Sequence, residues 1–363
     1  MTNSLDQLKQ LRTNAPKPFG LYSATCIGLD GGLATYTQNF QETNFTDFSA
    51  GLKVYRNSTF IPKQSDYKVI KQEGRVKLLE YASEGEPILL IPSLVNKHYI
   101  FDLYEENSLI KHLISQGKRP FVIDWGTPTS VDEGFGLYEL IEDYIVEFSR
   151  FLNYYTNSKI DLLGYCMGAS FALIAASLKQ KLYNNLTLVA LPYNFNEMPF
   201  TGMIKASKEL FKQYLKIENV KSDWIQSLFY MLDPMAVINR IKYFAEVKDT
   251  EQLNRMIALE DWLSDCIDVD AKIAIEIMDL WYGQNKLYYK DLDLSKLDLS
   301  VTLVTAKKDV IVPNAASTPI ISKVKKIKHI EVDSGHIGIM IGRKSITQFY
   351  EKLDNKLLSD ISK

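Results

Sequence analysis

A cysteine set between glycines, Gly164-Tyr165-Cys166-Met167-Gly168, is the strongest chemical signal in the chain. It has the form G-x-S-x-G with Cys in place of Ser. That pattern marks a sharp turn from a strand into a helix. The central residue sits strained at the tip, and the flanking glycines avoid side-chain clashes. The apolar run at 159–163 and the small-residue run from Ala169 to about residue 179 supply the strand and the helix. A helix N-terminus favours a thiolate, and the backbone N–H of Met167 is placed to serve an oxyanion hole. Such a nucleophile calls for an acid and then a histidine later in the chain, each after a strand. The run 301–306 leads to Asp309, and the run 329–332 leads to Ser334-Gly335-His336-Ile337-Gly338. The order Cys166, Asp309, His336 fits a nucleophile, an orienting acid and a base. Alone, Asp309 reads as a turn residue ahead of Pro313, and His336 as a loop histidine satisfied by backbone. It is the three in order that favour catalysis.

The apolar pattern also provides the elements that must hold these residues. Runs at 76–81, 87–93, 119–125, 159–163, 186–191, 301–306 and 329–332 predict strands, several of them buried on both faces. Helical spacing covers 104–116 up to Gly117, 137–154, 169–179, 314–322 and 345–358. This alternation implies a mostly parallel sheet with helices on both faces. It stops between about 195 and 290, a stretch that reads as almost wholly helical and carries Trp224, Trp262 and Trp281. The pattern therefore predicts an α/β-hydrolase fold with a helical cap insertion. Residues 1–65 form a weakly patterned N-terminal segment, 66–194 and 291–363 the core, and 195–290 the cap. An insertion there would lie over the carboxyl ends of the strands, where open α/β sheets bind ligands. The loop after the strand at 87–93, around Leu94 and Val95, is where this fold places its second oxyanion donor. Which of the two N–H groups serves is left open.

Composition narrows the function classes. The chain has 363 residues, 46% hydrophobic and 24% charged, which suits a globular fold with a sizeable core. Lys plus Arg is 42 and Asp plus Glu 44, a net charge of −2, which argues against nucleic acid as the main partner. The cysteines Cys26, Cys166 and Cys266 are odd in number and far apart, so reduced thiols are expected and Cys26 and Cys266 read as structural. The first nineteen residues have no apolar core of a signal peptide, and no apolar run approaches the ~20 residues of a membrane span. A cytoplasmic location is the expectation. Gly28, Gly31 and Gly32 read as turns, because no strand–glycine–helix context surrounds them. With no P-loop, no H-E-x-x-H and no clustered Cys/His set, neither a metal nor a nucleotide cofactor is expected. His98 follows an early strand and is a candidate to line the pocket, whereas His112 and His329 read as surface residues.

The chain resembles the short catalytic subunits of polyhydroxyalkanoate synthases, the class III and class IV type. The resemblance runs from about residue 66 to residue 352. Residues 87–103 carry it, with Asn96-Lys97-His98-Tyr99-Ile100, as do Phe121-Val122-Ile123-Asp124-Trp125-Gly126 and Leu163-Gly164-Tyr165-Cys166-Met167-Gly168. Asp309-Val310-Ile311-Val312-Pro313 and Gly335-His336-Ile337-Gly338 complete it. The resemblance implies catalytic roles for Cys166, Asp309 and His336. It implies polymerisation of (R)-3-hydroxyacyl-CoA, above all 3-hydroxybutyryl-CoA, through an acyl-cysteine thioester with release of CoA. It further implies a growing polyester chain and granule surface as partners, a second synthase subunit, and an oligomer. Ala169 departs from the family, which usually has a second glycine after the elbow. Two other readings stay open, a cysteine-dependent hydrolase of an ester, lactone or thioester, and a non-catalytic binding protein of the same fold.

Overall fold

In the computed structural model the described residues are 4–15, 42–131 and 134–353. Eight strands pair into one sheet in the order β1-β2-β4-β3-β5-β6-β7-β8. They are β1 Lys68–Glu73, β2 Val76–Glu80, β3 Glu86–Ile91, β4 Lys118–Asp124, β5 Ile160–Tyr165, β6 Tyr183–Val189, β7 Ser300–Ala306 and β8 Ile327–Val332. From β4 to β8 every pairing is parallel, whereas β1 pairs antiparallel with β2, and β2 with β4. Every residue of β5 is buried, as expected of a central strand whose two faces both pack under helices. With helices on both faces of this sheet, the fold is of the α/β-hydrolase type.

The apolar runs at 76–81, 87–93, 119–125, 159–163, 186–191, 301–306 and 329–332 all fall on strands, with ends displaced by a residue or a few. Strand β1 gave no usable pattern, because it is an edge strand whose residues are mostly exposed or half-buried. Gly74 closes its hairpin with β2 at φ 57°, a left-handed conformation that suits glycine. Helical spacing at 104–116 overstates that helix. It starts at Leu109, where the Ser108 side chain accepts the Lys111 N–H at 3.0 Å, and the stretch before it is 3-10 turn. The helix expected at 137–154 runs through π-helical turns over Glu139–Val146 into Glu147–Thr156. The stretch 314–322 is a short α-helix, Asn314–Ser317, followed by a 3-10 turn that carries Pro319. The last expected helix is broken into Ser345–Gln348 and Tyr350–Leu353. Its final residues, Cys26, and the glycines at 28, 31 and 32 lie outside the described residues.

The chain divides into two compact units. One comprises Met1–Gln64, Leu103–Glu105 and Lys221–Cys266; the other comprises Ser65–Asp102, Glu106–Val220 and Ile267–Lys363, and holds the sheet. The first unit is helical among its described residues. Helix Leu5–Thr13 opens with a capping box, in which Ser4 and Gln7 satisfy each other's backbone N–H. Ser-x-x-Gln is the sequence form of that box, in a stretch otherwise weakly patterned. Helix Glu42–Arg56 crosses helix Pro234–Glu246 at Gly51, where a Cβ would come within 1.8 Å of the Ile241 carbonyl oxygen. Phe48, Tyr55, Ile238, Phe244 and Ile257 fill the core around the crossing. Arg12, fully buried, forks onto Asp261 with contacts of 2.8 and 2.6 Å and donates to the carbonyls of Ser58 and Phe60.

Candidate active site

Strand β5 ends at Tyr165, and helix Met167–Lys179 begins two residues later. Cys166, between them, has φ 55° and ψ −125°, a combination that costs a non-glycine residue conformational energy and persists only when its surroundings enforce it. The enforcing contacts are visible. The Cys166 N–H donates to the Val189 carbonyl at 2.9 Å, and the Cys166 carbonyl accepts from Ala169 N–H at 2.8 Å. A Cβ on Gly164 would stand 2.2 Å from the Gly168 oxygen, and one on Gly168 would stand 2.1 Å from the Ile91 oxygen. Both glycines are therefore needed for the helix to descend onto β3 and β5. Ala169 is fully buried here, and its Cα lies 2.5 Å from the Cβ position that Gly164 leaves empty. Its extra methyl is accommodated within the core.

Cys166 is partly exposed. The loops after β7 and β8 bring the other two residues together. Asp309 Oδ2 and His336 Nδ1 are 2.7 Å apart, and both side chains are buried. The other carboxylate oxygen of Asp309 accepts from the N–H groups of Ile311 and Val312 at 2.9 and 2.8 Å. This local turn fixes the carboxylate before it meets the histidine. Burial pulls the His336 imidazole down, but the Asp309 charge, then the Cys166 charge, and hydrogen bonds to both outweigh it. The imidazole is pushed up to about 10. The Cys166 influence on the imidazole places the thiol near the Asp309–His336 pair.

Met167 opens its helix, so its N–H has no acceptor within that helix. Leu94 and Val95 are buried in the loop after β3. The Val95 N–H has a long contact of 3.4 Å to Ser93 Oγ, and the Val95 carbonyl accepts from Ile267 N–H at 3.0 Å. Two phenols that spacing gave no reason to single out also belong here. The Tyr165 ring lies 5.3 Å from the His336 ring, and its hydroxyl donates to the His336 carbonyl at 3.3 Å. Tyr282 is pushed up to about 12 by burial and then by the Cys166 charge, so it stays a hydrogen-bond donor. No sequence motif marks Tyr282. Of the remaining histidines, His98 is nearly buried with Nδ1 3.5 Å from Asp124 Oδ1. His112 is not on a bare surface as expected, because its ring packs 5.5 Å from Tyr350. His329 is exposed and bonds Thr305 Oγ1 at 2.9 Å. The Cys266 thiol donates to the Leu263 carbonyl at 2.8 Å and accepts from Gln226. Among the described residues no cluster of His, Cys, Asp and Glu is arranged to hold a metal, and no helix is long and apolar enough to cross a membrane.

A parallel sheet, a cysteine at the tip of a strand–helix elbow, and a buried acid–histidine pair on the loops after β7 and β8 define an α/β-hydrolase-fold protein with a thiol where that fold commonly carries a hydroxyl. Solved structures agree on the fold. A thioesterase domain from the curacin biosynthetic pathway matches 82% of this chain and 100% of its own with TM-score 0.50 at 15% identity. A lipase-like chain from Acinetobacter baumannii matches 89% and 99% with TM-score 0.52 at 15% identity. Residues 52–113 match the family described as poly-beta-hydroxybutyrate polymerase (PhaC) N-terminus. Poly(3-hydroxyalkanoate) polymerase subunits PhaC from two haloarchaea are similar over 77% of this chain. That of Haloferax mediterranei is 29% identical and that of Haloarcula marismortui 26%. The chain spans 61% and 64% of those two relatives' lengths. The PhaC subunit of Synechocystis sp. is 28% identical over 85% of both chains. These similarities support a PhaC-like polyhydroxyalkanoate synthase relationship.

Proposed function

We propose that the chain polymerises (R)-3-hydroxyacyl-CoA, with 3-hydroxybutyryl-CoA as the first substrate to test, through an acyl thioester on Cys166. The observation that carries this reading is the buried Asp309–His336 pair with Cys166 on a strained elbow, in a protein similar to PhaC polymerases. The proton inventory suits the reaction. His336 holds a proton beside Cys166, so the sulfur attacks the thioester carbonyl while the imidazolium stays close. The Met167 N–H, with the N–H of Leu94 or Val95, takes the charge that develops on the carbonyl oxygen. As the tetrahedral intermediate collapses, the C–S bond to CoA breaks and the leaving sulfur takes the His336 proton. The acyl group now rests on Cys166 as a thioester, close in energy to the one it left. His336 is neutral and can accept the proton of an incoming hydroxyl. That oxygen attacks the acyl-Cys166 carbonyl, an ester forms, the thiolate departs, and the starting protonation state returns.

Water competes for the same intermediate, so the acceptor is decided by exclusion of water. The aromatic packing of Trp281 against Phe171 of the elbow helix, at 5.6 Å, supports a dry wall on that side. We read 195–290 as the cap insertion of this fold. The resemblance to class III and class IV chains favours a second synthase subunit and an oligomer, working in the cytoplasm at the surface of polyester granules. The deciding experiment is incubation of the purified chain with 3-hydroxybutyryl-CoA, with and without a candidate partner subunit. Polymer plus free CoA supports the proposal. Free 3-hydroxybutyrate plus CoA would make the chain a thioesterase, and no CoA release under either condition would leave a binding protein.

A further inference from the structure

His336 stands at the head of a short turn that must be held from outside. The helix Gly338–Ile341 follows it and stops at Gly342, which is extended at φ −69° and ψ 156°. Inside the turn the bonds are local. The Ile339 N–H donates to the Gly335 carbonyl at 3.1 Å, the Ile341 N–H to the Ile337 carbonyl at 3.2 Å and the Gly342 N–H to the Gly338 carbonyl at 2.8 Å. Such bonds move with the turn and do not tie it to the rest of the fold. Ile339 and Met340 are fully buried, but apolar burial has no direction, so it sets the turn's depth and leaves its rotation free. Asn107 supplies the direction. Its Nδ2 donates to the Gly342 carbonyl at 2.9 Å, from 235 residues away in sequence. A carbonyl only accepts, so the amide must present its NH2 end there. Ser345 completes the clamp. Its N–H donates to the same carbonyl at 2.9 Å. Its one hydroxyl proton is within reach of that carbonyl, at 2.7 Å, and of Asn107 Oδ1, at 3.0 Å. Ser345 is fully buried and Asn107 is 4% exposed, so a partner lost here is not replaced by bulk water.

Asn107 itself has a firm base. The next residue, Ser108, caps helix Leu109–Ser115, and its carbonyl accepts the His112 N–H at 3.0 Å. The Ser108 hydroxyl donates to the buried carboxylate of Asp102, which also accepts the Ser65 N–H. The other holds on the turn act elsewhere along it. Asp309 holds the imidazole, and the Tyr165 hydroxyl makes a long contact of 3.3 Å with the His336 carbonyl. The Tyr350 hydroxyl donates to the Met340 carbonyl from the stretch just after the turn. Tyr165 thus steadies the start of the turn, and Asn107 its end.

We propose that Asn107 is a positioning residue for His336: by holding the Gly342 carbonyl it fixes the rotation of the turn that aims the imidazole. The proposal rests on the assignment of His336 as the base in the preceding section and adds what keeps that base in place. With the clamp gone, the turn can rotate, the Asp309–His336 contact lengthens, and proton transfer slows while substrate binding is left alone.

The test compares Asn107→Ala in the full chain with the wild type and with Ser149→Ala. Ser149 is also fully buried, and it bonds the Ile145 carbonyl and the Tyr183 hydroxyl, so its loss removes buried hydrogen bonds without touching the turn. Thermal melts compare the stability of the two variants. With 3-hydroxybutyryl-CoA, Asn107→Ala should lower kcat about 10–100-fold, the order expected when a catalytic group is misplaced by about 1 Å, and leave KM within about twofold. Ser149→Ala should keep kcat. The His336 imidazole, one of four histidines, is followed by NMR independently of turnover. In Asn107→Ala it should titrate about one pH unit below the wild type, because the carboxylate contact has loosened. An unchanged titration, or an equal loss of kcat in Ser149→Ala, overturns the proposal. A wild-type chain that does not turn over the thioester defeats the reading of the preceding section, and the NMR comparison then decides this one alone. If Asn107→Ala does not fold, Ser345→Ala takes its place. It removes the hydroxyl shared by the amide and the carbonyl and should move kcat and the titration in the same direction by less; wild-type values for both overturn the proposal.

Discussion

Replacing Asp309 by Asn keeps the side chain's shape and removes its charge. The carboxamide oxygen can still accept from Ile311 and Val312, so the turn should survive. What is lost is the charge 2.7 Å from His336 Nδ1, the largest of the influences that raise the imidazole. Burial, which lowers it, remains. His336 should therefore titrate well below about 10, with only the Cys166 influences left to oppose burial. The linkage has a definite sign. A histidine whose folded pKa is raised contributes stability that is fully present below pH 6.5 and is lost as pH rises through about 10. The Asp309→Asn variant lacks this contribution. Its deficit against the wild type should be largest near pH 6.5, about 3–5 kcal/mol if the dyad behaves as a buried pair deprived of one partner, and should narrow toward pH 10. Urea unfolding near the two pH values measures that difference. The imidazole itself can be followed by NMR, since the chain has only four histidines. In turnover, acylation asks less of Asp309 than hydroxyl activation does. The variant should release a burst of about one CoA per site and then stall, losing roughly 100-fold or more in chain growth. His336→Gln should lose both steps. An imidazole in Asp309→Asn that still titrates near 10, or a burst seen with His336→Gln and absent in Asp309→Asn, would refute the assignment of roles.

Cys166→Ala should fold normally and release no CoA, whereas Cys266→Ala should keep most activity, because its thiol is held by Gln226 and the Leu263 carbonyl and carries no motif; CoA release with a thermal melt distinguishes the two. Gly168→Ala places a methyl 2.1 Å from the Ile91 oxygen, and backbone on both sides prevents easy yielding. It should cost about 3 kcal/mol or more by urea unfolding and depress CoA release further than that loss explains. Asp261→Asn leaves the Arg12 guanidinium buried without its counter-charge and should destabilise the chain by about 3–5 kcal/mol in denaturant titrations. Pairing Arg12→Met with Asp261→Leu should recover much of that loss, since neither charge of that pair then remains buried.

The parts of the fold that the sequence made legible are those whose pattern is local. Strands such as β3 and β5 are continuous apolar runs because both faces are covered, and the elbow declares itself by two glycines around a reactive residue. The order of Cys166, Asp309 and His336 was readable for the same reason, since each follows a strand. What escaped depends on contacts between distant segments. Edge strand β1 has half-exposed residues and little periodicity. Helix Glu42–Arg56 looked unpatterned because its core face includes Gly51, a residue that weakens a helix in isolation yet permits the close crossing at Ile241. Nothing in the sequence marks Arg12, which Asp261, far along the chain, holds in the interior. Tyr282 is placed beside the thiol's surroundings by the packing of Phe195 and Trp281, which no spacing rule encodes.

Ala169 shows how finely the elbow depends on size at particular positions. In sequence it stands out as a departure, an added methyl where close packing of helix and strand was expected to want glycine. The geometry puts the critical approach elsewhere. It is the Cα of Ala169 that presses toward Gly164, at 2.5 Å from the position a Cβ would take there, and the Gly168 oxygen presses closer still at 2.2 Å. The empty space that lets the helix approach belongs to Gly164, and the second one, facing the Ile91 oxygen, belongs to Gly168. Ala169 needs only a place for its own methyl in the core, and its complete burial shows that one exists. Glycine is thus required at the two positions where a Cβ would strike backbone, and the position after them tolerates alanine. The strained backbone of Cys166 rests on those two glycines and on its bonds to Val189 and Ala169, so the nucleophile's pose does not depend on a third glycine.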